Sequence, residues 1–94
     1  MIVQSEAQSA LFAARTEAMQ DFNSTFSSET YRDTEMGSLH FGLADVETPI
    51  GRVIVEAFRK PVMRRNGEFK STWGFAWFLR GERIAERKLY ALAA

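Results

Sequence analysis

His40 is the single imidazole of the chain and the first residue to weigh for general acid–base chemistry, since its ordinary pKa lies nearest neutrality. Nucleophilic catalysis also needs a nucleophile and a group that orients the base. The chain has no cysteine, which removes a thiolate nucleophile, a disulfide framework and a Cys-based zinc site. A zinc site would rest on His40 and carboxylates at no recognised ligand spacing. Asp33 with Glu35 and Asp45 with Glu47 are paired carboxylates, but they lie in polar stretches, whereas a catalytic acid needs surroundings that shift its pKa. The glycines sit singly at turn-like or strand positions and build no phosphate loop. Elimination leaves the expectation of a non-catalytic protein with neither cofactor nor metal.

Binding chemistry is better represented. Arg59, Lys60, Arg64, Arg65 and Lys70 cluster around the dipeptide Asn66-Gly67, forming a basic hairpin tip suited to phosphate or to an acidic surface. Trp73, Phe75 and Trp77 share one parity of an extended segment, while Phe58 and Phe78 belong to the other. Mixtures of aromatic residues and arginine are typical of interface hot spots. Glu29, Asp33 and Glu35 stand in a hydroxyl-rich acidic stretch that is a further candidate contact surface.

The chain has 94 residues, is 46% hydrophobic and 26% charged, and carries 12 basic against 12 acidic side chains. These are the values of one globular domain, and they exclude wholesale disorder and a fibrous repeat. The net charge of zero hides a division. Residues 1–49 hold Arg15 and Arg32 against eight acidic residues, a balance of −6, and residues 50–94 carry +6. Such asymmetry points to a charged partner or to an acidic half folded against a basic one. No apolar run reaches membrane-spanning length and the N-terminus lacks a signal-peptide layout, so a cytoplasmic protein without membrane contact is expected.

The elements that position these residues follow from pattern. Residues 5–22 read as a helix: Ser5 and Gln8 have capping-box spacing, and Ala7, Leu11, Ala14, Ala18 and Phe22 form a stripe widened by Met19. Residues 23–37 read as a polar connection, with Ser27 or Ser28 able to cap a short helix within it. Residues 38–84 read as an antiparallel sheet of three or four strands. Over residues 38–44, Leu39, Phe41 and Leu43 alternate with His40, Gly42 and Ala44, and Glu47-Thr48-Pro49-Ile50-Gly51 makes a turn. The β-branched run Val53-Ile54-Val55 marks the next strand, and Pro61 places a bulge, an edge or an end there. Asn66-Gly67 predicts a type I′ hairpin pairing residues 62–65 with 68–71. In the following strand, Phe69, Trp73, Phe75, Trp77 and Leu79 predict an aromatic strip buried under the first helix. Arg80-Gly81 marks another tight turn, after which either a short strand at 82–84 or the last helix begins directly. Residues 85–93 read as that helix, with Leu89, Leu92 and Ala93 inward. The fold class expected is α+β in a single domain over 1–94: N-terminal helix, antiparallel meander, short C-terminal helix.

The order helix–strand–strand–strand–helix resembles that of double-stranded-RNA-binding domains, and ERIAERKLYALAA is similar to their final helix. Where their last helix opens on lysines, this chain has Glu82-Arg83-Ile84-Ala85-Glu86, so the likeness covers topology and a short basic helix and assigns no RNA contact. In size and cysteine-free composition the chain is similar to small phage and mobile-element proteins, anti-CRISPR proteins among them, which act by occluding a host protein. The function expected is a non-catalytic binding protein that occludes or bridges a macromolecular partner, a protein above all. Nucleic-acid binding by the basic half is the alternative. An apolar sheet face left uncovered, with Ile54, Phe58, Ala76 and Phe78 on it, would imply a partner or a homodimer.

Overall fold

The computed structural model describes residues 4–25 and 41–94. Helix α1 (Glu6–Thr25) is followed by strands β1 (Gly42–Thr48), β2 (Gly51–Met63), β3 (Phe69–Leu79) and β4 (Glu82–Ile84) and by helix α2 (Glu86–Leu92). The strands form one antiparallel sheet in the order β1-β2-β3-β4, a meander. Both helices lie on one face of it, so the fold is the expected α+β arrangement with four strands. The polar connection expected over 23–37 begins later, because residues 23–25 belong to α1. Its remainder, including Ser27, Ser28, Glu29, Asp33 and Glu35, lies outside the described residues, as do Leu39 and His40.

The alanine-rich stripe makes α1. Ala7, Leu11, Ala14, Ala18 and Phe22 are all buried, one every three or four residues. The capping box forms as its spacing requires: the Ser5 N–H donates to Gln8 Oε1 at 3.2 Å, and the Gln8 N–H donates to Ser5 Oγ at 3.0 Å. The same two side chains then reach α2. Ser5 Oγ donates to the Ala93 carbonyl, and Gln8 Nε2 donates to the Tyr90 carbonyl at 3.2 Å. The N-terminal end of α1 thus satisfies carbonyls that the end of α2 leaves without helical partners. Ala85 precedes α2 without a side-chain cap, so these contacts and the buried Leu89 and Ala93 hold the short helix in place. Leu92, expected inward, is 54% exposed, because the turn of α2 that meets the core is taken by Leu89 and Ala93.

Close approach decides how the sheet meets α1. A Cβ built on Gly42 would overlap the Ala18 carbonyl oxygen and lie 2.5 Å from the Phe22 nitrogen, so only glycine fits there. The Leu43 N–H, which points away from β2, donates to Asp21 Oδ2 of α1 at 2.8 Å. Contact at Gly42 turns Gly42, Ala44 and Val46 inward and throws Phe41 and Leu43 outward, the reverse of what their hydrophobicity alone suggests. The inner face continues through Val53, Val55 and Ala57 of β2, which are fully buried. α1 packs across β1 and β2 while α2 packs against β3. The aromatic strip is therefore on the inner face but not under α1: Trp77 is buried, and Trp73, Phe75 and Leu79 are partly buried beside the helix.

The Asn66-Gly67 turn differs from the type I′ hairpin expected there. Around Asn66-Gly67, Arg64 lies opposite Glu68, with the Arg64 N–H on the Glu68 carbonyl at 2.7 Å and the Gly67 N–H on the Arg64 carbonyl at 3.0 Å. The loop is thus Arg65-Asn66-Gly67, with positive φ (84°) at Gly67 only. Asn66 spends its side chain instead on the Glu68 N–H, at 3.1 Å. The register moves by one from that of a two-residue loop, pairing Met63 with Phe69 and Val62 with Lys70. The two-residue turn with both φ positive occurs at Arg80 (52°) and Gly81 (85°), joining β3 to β4.

Gly42→Ala is expected to destabilise the fold by about 1–3 kcal/mol through overpacking against helix backbone, lowering Tm by roughly 4–8 °C for each kcal/mol. Gly67→Ala, where a Cβ meets open space, should cost about 1 kcal/mol from its left-handed backbone alone. Thermal and urea unfolding of the two variants compares steric with conformational cost.

Candidate functional site

With both helices on the inner face, the outer face of the sheet is bare among the described residues. Strand register orders its side chains in rows. Glu47, Arg52 and Arg80 form one row, followed by Asp45, Ile54, Phe78 and Arg83, then by Leu43, Glu56 and Ala76. Phe58 crosses the next row to cover Gly74, where an added Cβ would lie 2.6 Å from its Cζ. Phe41 meets Phe58 edge-on, with centroids 5.9 Å apart. Leu43 is 49% and Phe41 41% exposed, and Ile54, Phe58 and Phe78 are partly buried against one another's strands. Apolar side chains thus run diagonally over the sheet from Phe41 to Phe78, with the half-buried Glu56 in their midst between Ile54 and Phe58.

Charged groups close the band at both ends. At one end Arg52 binds Asp45 through two hydrogen bonds, Nε to Oδ1 at 2.8 Å and NH2 to Oδ2. That donation is the largest cause holding the Asp45 carboxyl below its ordinary value. Arg80 faces Arg52 across the strands, and its side chain lies over Gly51, while the Arg83 guanidinium sits 5.9 Å from the Phe78 ring centroid. Two arginines side by side on one face repel unless a carboxylate or a partner stands between them. At the other end Lys60 and Lys70 are exposed on the same face, and Arg64 and Arg65 are exposed in the hairpin loop beyond them. β2 and β3 are 13 and 11 residues long, against 7 in β1 and 3 in β4, so the basic loop tips a two-stranded ribbon that projects past its neighbours.

Arg59 does not join this group. Its side chain lies on the inner face, with the guanidinium 4.6 Å from the Trp73 ring centroid, Nε on Ser71 Oγ at 3.0 Å and NH2 on the Ser71 carbonyl at 3.1 Å. Trp73 stacks on Phe75 at 6.4 Å and receives Phe22 edge-on at 5.2 Å. The Arg15 guanidinium lies 4.6 Å from the Phe75 centroid. Trp77 donates its indole N–H to Glu86 Oε1 at 3.1 Å and meets Tyr90 edge-on. Between the two helices an open cleft of about 430 Å³ is lined by Arg15, Glu86, Arg87 and Tyr90. Burial is the main cause that raises the Tyr90 hydroxyl pKa, with the Glu86 charge adding and Arg15 opposing.

The structure therefore brings together Phe58, Phe78, Lys60, Lys70, Arg64 and Arg65 from the residues singled out by sequence, separates Arg59, and leaves Glu29, Asp33 and Glu35 outside the described residues. Phe41, Leu43, Arg52, Arg80 and Arg83 complete the outer surface. Phe41 and Leu43 carry a sequence signal that points to the core instead, since alternation shows two faces without saying which one a helix will cover. Among the described residues no group of three or more His, Asp or Glu side chains is placed to hold a metal ion, and no helix is long and apolar enough to cross a membrane.

An NMR pH titration of the Asp45 carboxyl should show a midpoint below the ordinary carboxylate range, and Arg52→Gln should return it to that range. Because the folded value lies below the unfolded one, the stabilisation is fully present above the ordinary midpoint and fades as pH falls through the folded one. Both side chains are exposed, so the effect on stability is small. An unshifted wild-type midpoint would show that the pair does not persist in solution. No protein-family model, no curated protein and no solved structure matches this chain, so its site is read from the chemistry of these residues alone.

Proposed function

We propose that this chain is a non-catalytic binding protein that occludes or bridges a protein partner through the outer face of its sheet. The observation that carries this is the set of apolar side chains Phe41, Leu43, Ile54, Phe58 and Phe78, uncovered among the described residues, with Arg52, Arg80 and Arg83 beside Asp45 and Glu47 at one end and Lys60 and Lys70 at the other. Apolar surface left in water is unfavourable in proportion to its area, and contiguous patches with polar rims mark interaction sites. The matching partner surface has an apolar ridge flanked by carboxylates. The arginines of this chain would contribute most where they are desolvated against the partner's carboxylates, and the exposed rim would act mainly on association rate. Action by occlusion is also the mode of the small phage-encoded inhibitors that the chain resembles in size.

The projecting basic ribbon supports a second reading, nucleic-acid binding. A two-stranded ribbon is narrow enough for the major groove of duplex DNA, and Arg64, Arg65, Lys60 and Lys70 would meet phosphates beside it.

Affinity capture from a lysate of the native host, comparing wild type with Leu43→Glu and with the double variant Arg64→Glu/Arg65→Glu, separates the two. Leu43 is exposed, so its substitution removes no core contact, and circular dichroism checks that the variant keeps the fold. Protein binding through the outer face predicts at least tenfold weaker capture by Leu43→Glu, about 1.4 kcal/mol. Equal capture of the same proteins by wild type and Leu43→Glu would remove the outer face from the interface. Anisotropy titration with short DNA and RNA duplexes at low and high salt tests the second reading, which fails if nothing binds even at low salt.

A further inference from the structure

The two edges of the sheet are not equivalent. In an antiparallel ladder each residue directs its N–H and C=O to one neighbour only, and successive residues alternate. Arg64 with Glu68 and Arg80 with Arg52 are hydrogen-bonded pairs, so the even-numbered residues of β3 face β2 and the odd-numbered ones face the opposite edge. β4 engages only the stretch from Trp77 to Leu79. Among the described residues, the N–H groups of Ser71, Trp73 and Phe75 therefore have no strand beside them, whereas on β1 the edge N–H of Leu43 is taken by Asp21. The acidic side chains Asp45 and Glu47 also guard the β1 edge, and no acidic side chain stands between Ser71 and Phe75.

A second observation concerns the surface beside this edge. Arg15 lies on Phe75 and Tyr90 on Trp77, so the cleft lined by Arg15, Glu86, Arg87 and Tyr90 sits over the inner face of β3. The side chains flanking the edge are mostly cationic: Arg15, Arg59 and Arg87 on the inner side and Lys70 on the outer side. Glu86 is engaged by the Trp77 indole.

We propose that the edge of β3 from Ser71 to Phe75 receives an extended acidic segment of a partner protein as an added strand. Its backbone would satisfy the three N–H groups. Alternate side chains would enter the cleft, carboxylates meeting Arg15 and Arg87, and the opposite set would pass Lys70. Strand addition of this kind takes affinity from main-chain hydrogen bonds and selectivity from the pockets beside them. It uses neither Leu43 nor the hairpin loop, so failure of the outer-face reading leaves it standing, and the reverse holds too.

The test is amide hydrogen exchange by NMR on the full chain, alone and with end-blocked peptides of alternating Glu and Val or alternating Lys and Val. In the free monomer, Ser71, Trp73 and Phe75 should exchange fast while Thr72, Gly74 and Ala76 are protected. The Glu–Val peptide should slow the first set at least tenfold, the Lys–Val peptide should not, and Arg87→Glu/Lys70→Glu should weaken the effect at least tenfold. Slow exchange of the odd-numbered set in the free monomer would mean an edge already occupied and overturns the proposal. Protection that rises with protein concentration alone would make a second copy the occupant. Equal response to both peptides, or protection by a single-stranded DNA oligonucleotide and not by the Glu–Val peptide, also overturns it.

Discussion

The whole arrangement depends on how closely α1 can approach β1. At Gly42 the helix backbone comes so near that no side chain fits, and alanines at 14, 18, 44 and 57 keep the rest of the seam thin. Close packing of two backbones buries little area per residue, but it excludes water completely and permits few alternative alignments. Once Gly42 is fixed against Ala18 and Phe22, the parity of β1 is fixed, and pairing transmits it to β2 and β3. Which side chains face the helices follows from that contact.

The same contact sets the lateral position of α1 over β1 and β2 and so leaves β3 to a much shorter helix. α2 has 7 residues, too few to hold itself together in water. It is kept by Leu89 in the core, by the Trp77–Glu86 hydrogen bond and by Ser5 and Gln8, which cap α1 and bind the last carbonyls of α2. A short helix covers Trp77 but not Trp73 or Phe75, and arginines lie on those rings instead. Guanidinium groups suit this role because they stack on an aromatic face while keeping their edges hydrated. The result is an aromatic row that serves the core at one end and the surface at the other.

Turn geometry shows tertiary context overriding local preference. Asn-Gly favours two successive positive φ values, yet Asn66 adopts none and uses its side chain on the Glu68 N–H. Arg80, of a residue type that pays a steric cost for positive φ, adopts it at 52°. There the hairpin is fixed by pairing on both sides, by the Arg80 N–H on the Arg52 carbonyl and by the Arg80 side chain across Gly51. A residue held so beside Arg52 and Arg83 concentrates positive charge at one end of the outer face.

Periodicity alone determined that this chain has an α1 stripe, a meander of strands, a terminal helix and a capping box, because 3.6- and 2-residue repeats and cap spacing are local properties. The basic loop and the division of β3 into two faces were equally legible. Tertiary structure decided which face of each strand is inside, since alternation is symmetric until a helix chooses a side, and Gly42 made that choice. That Arg59 and Lys60 face opposite ways is local, as for any strand neighbours; tertiary structure decided that the Arg59 side is the helix side, where Trp73 and Ser71 hold its guanidinium. The outer band and the β3 edge, open among the described residues, depend on what covers each surface, and coverage is a property of the assembled layers, not of any segment.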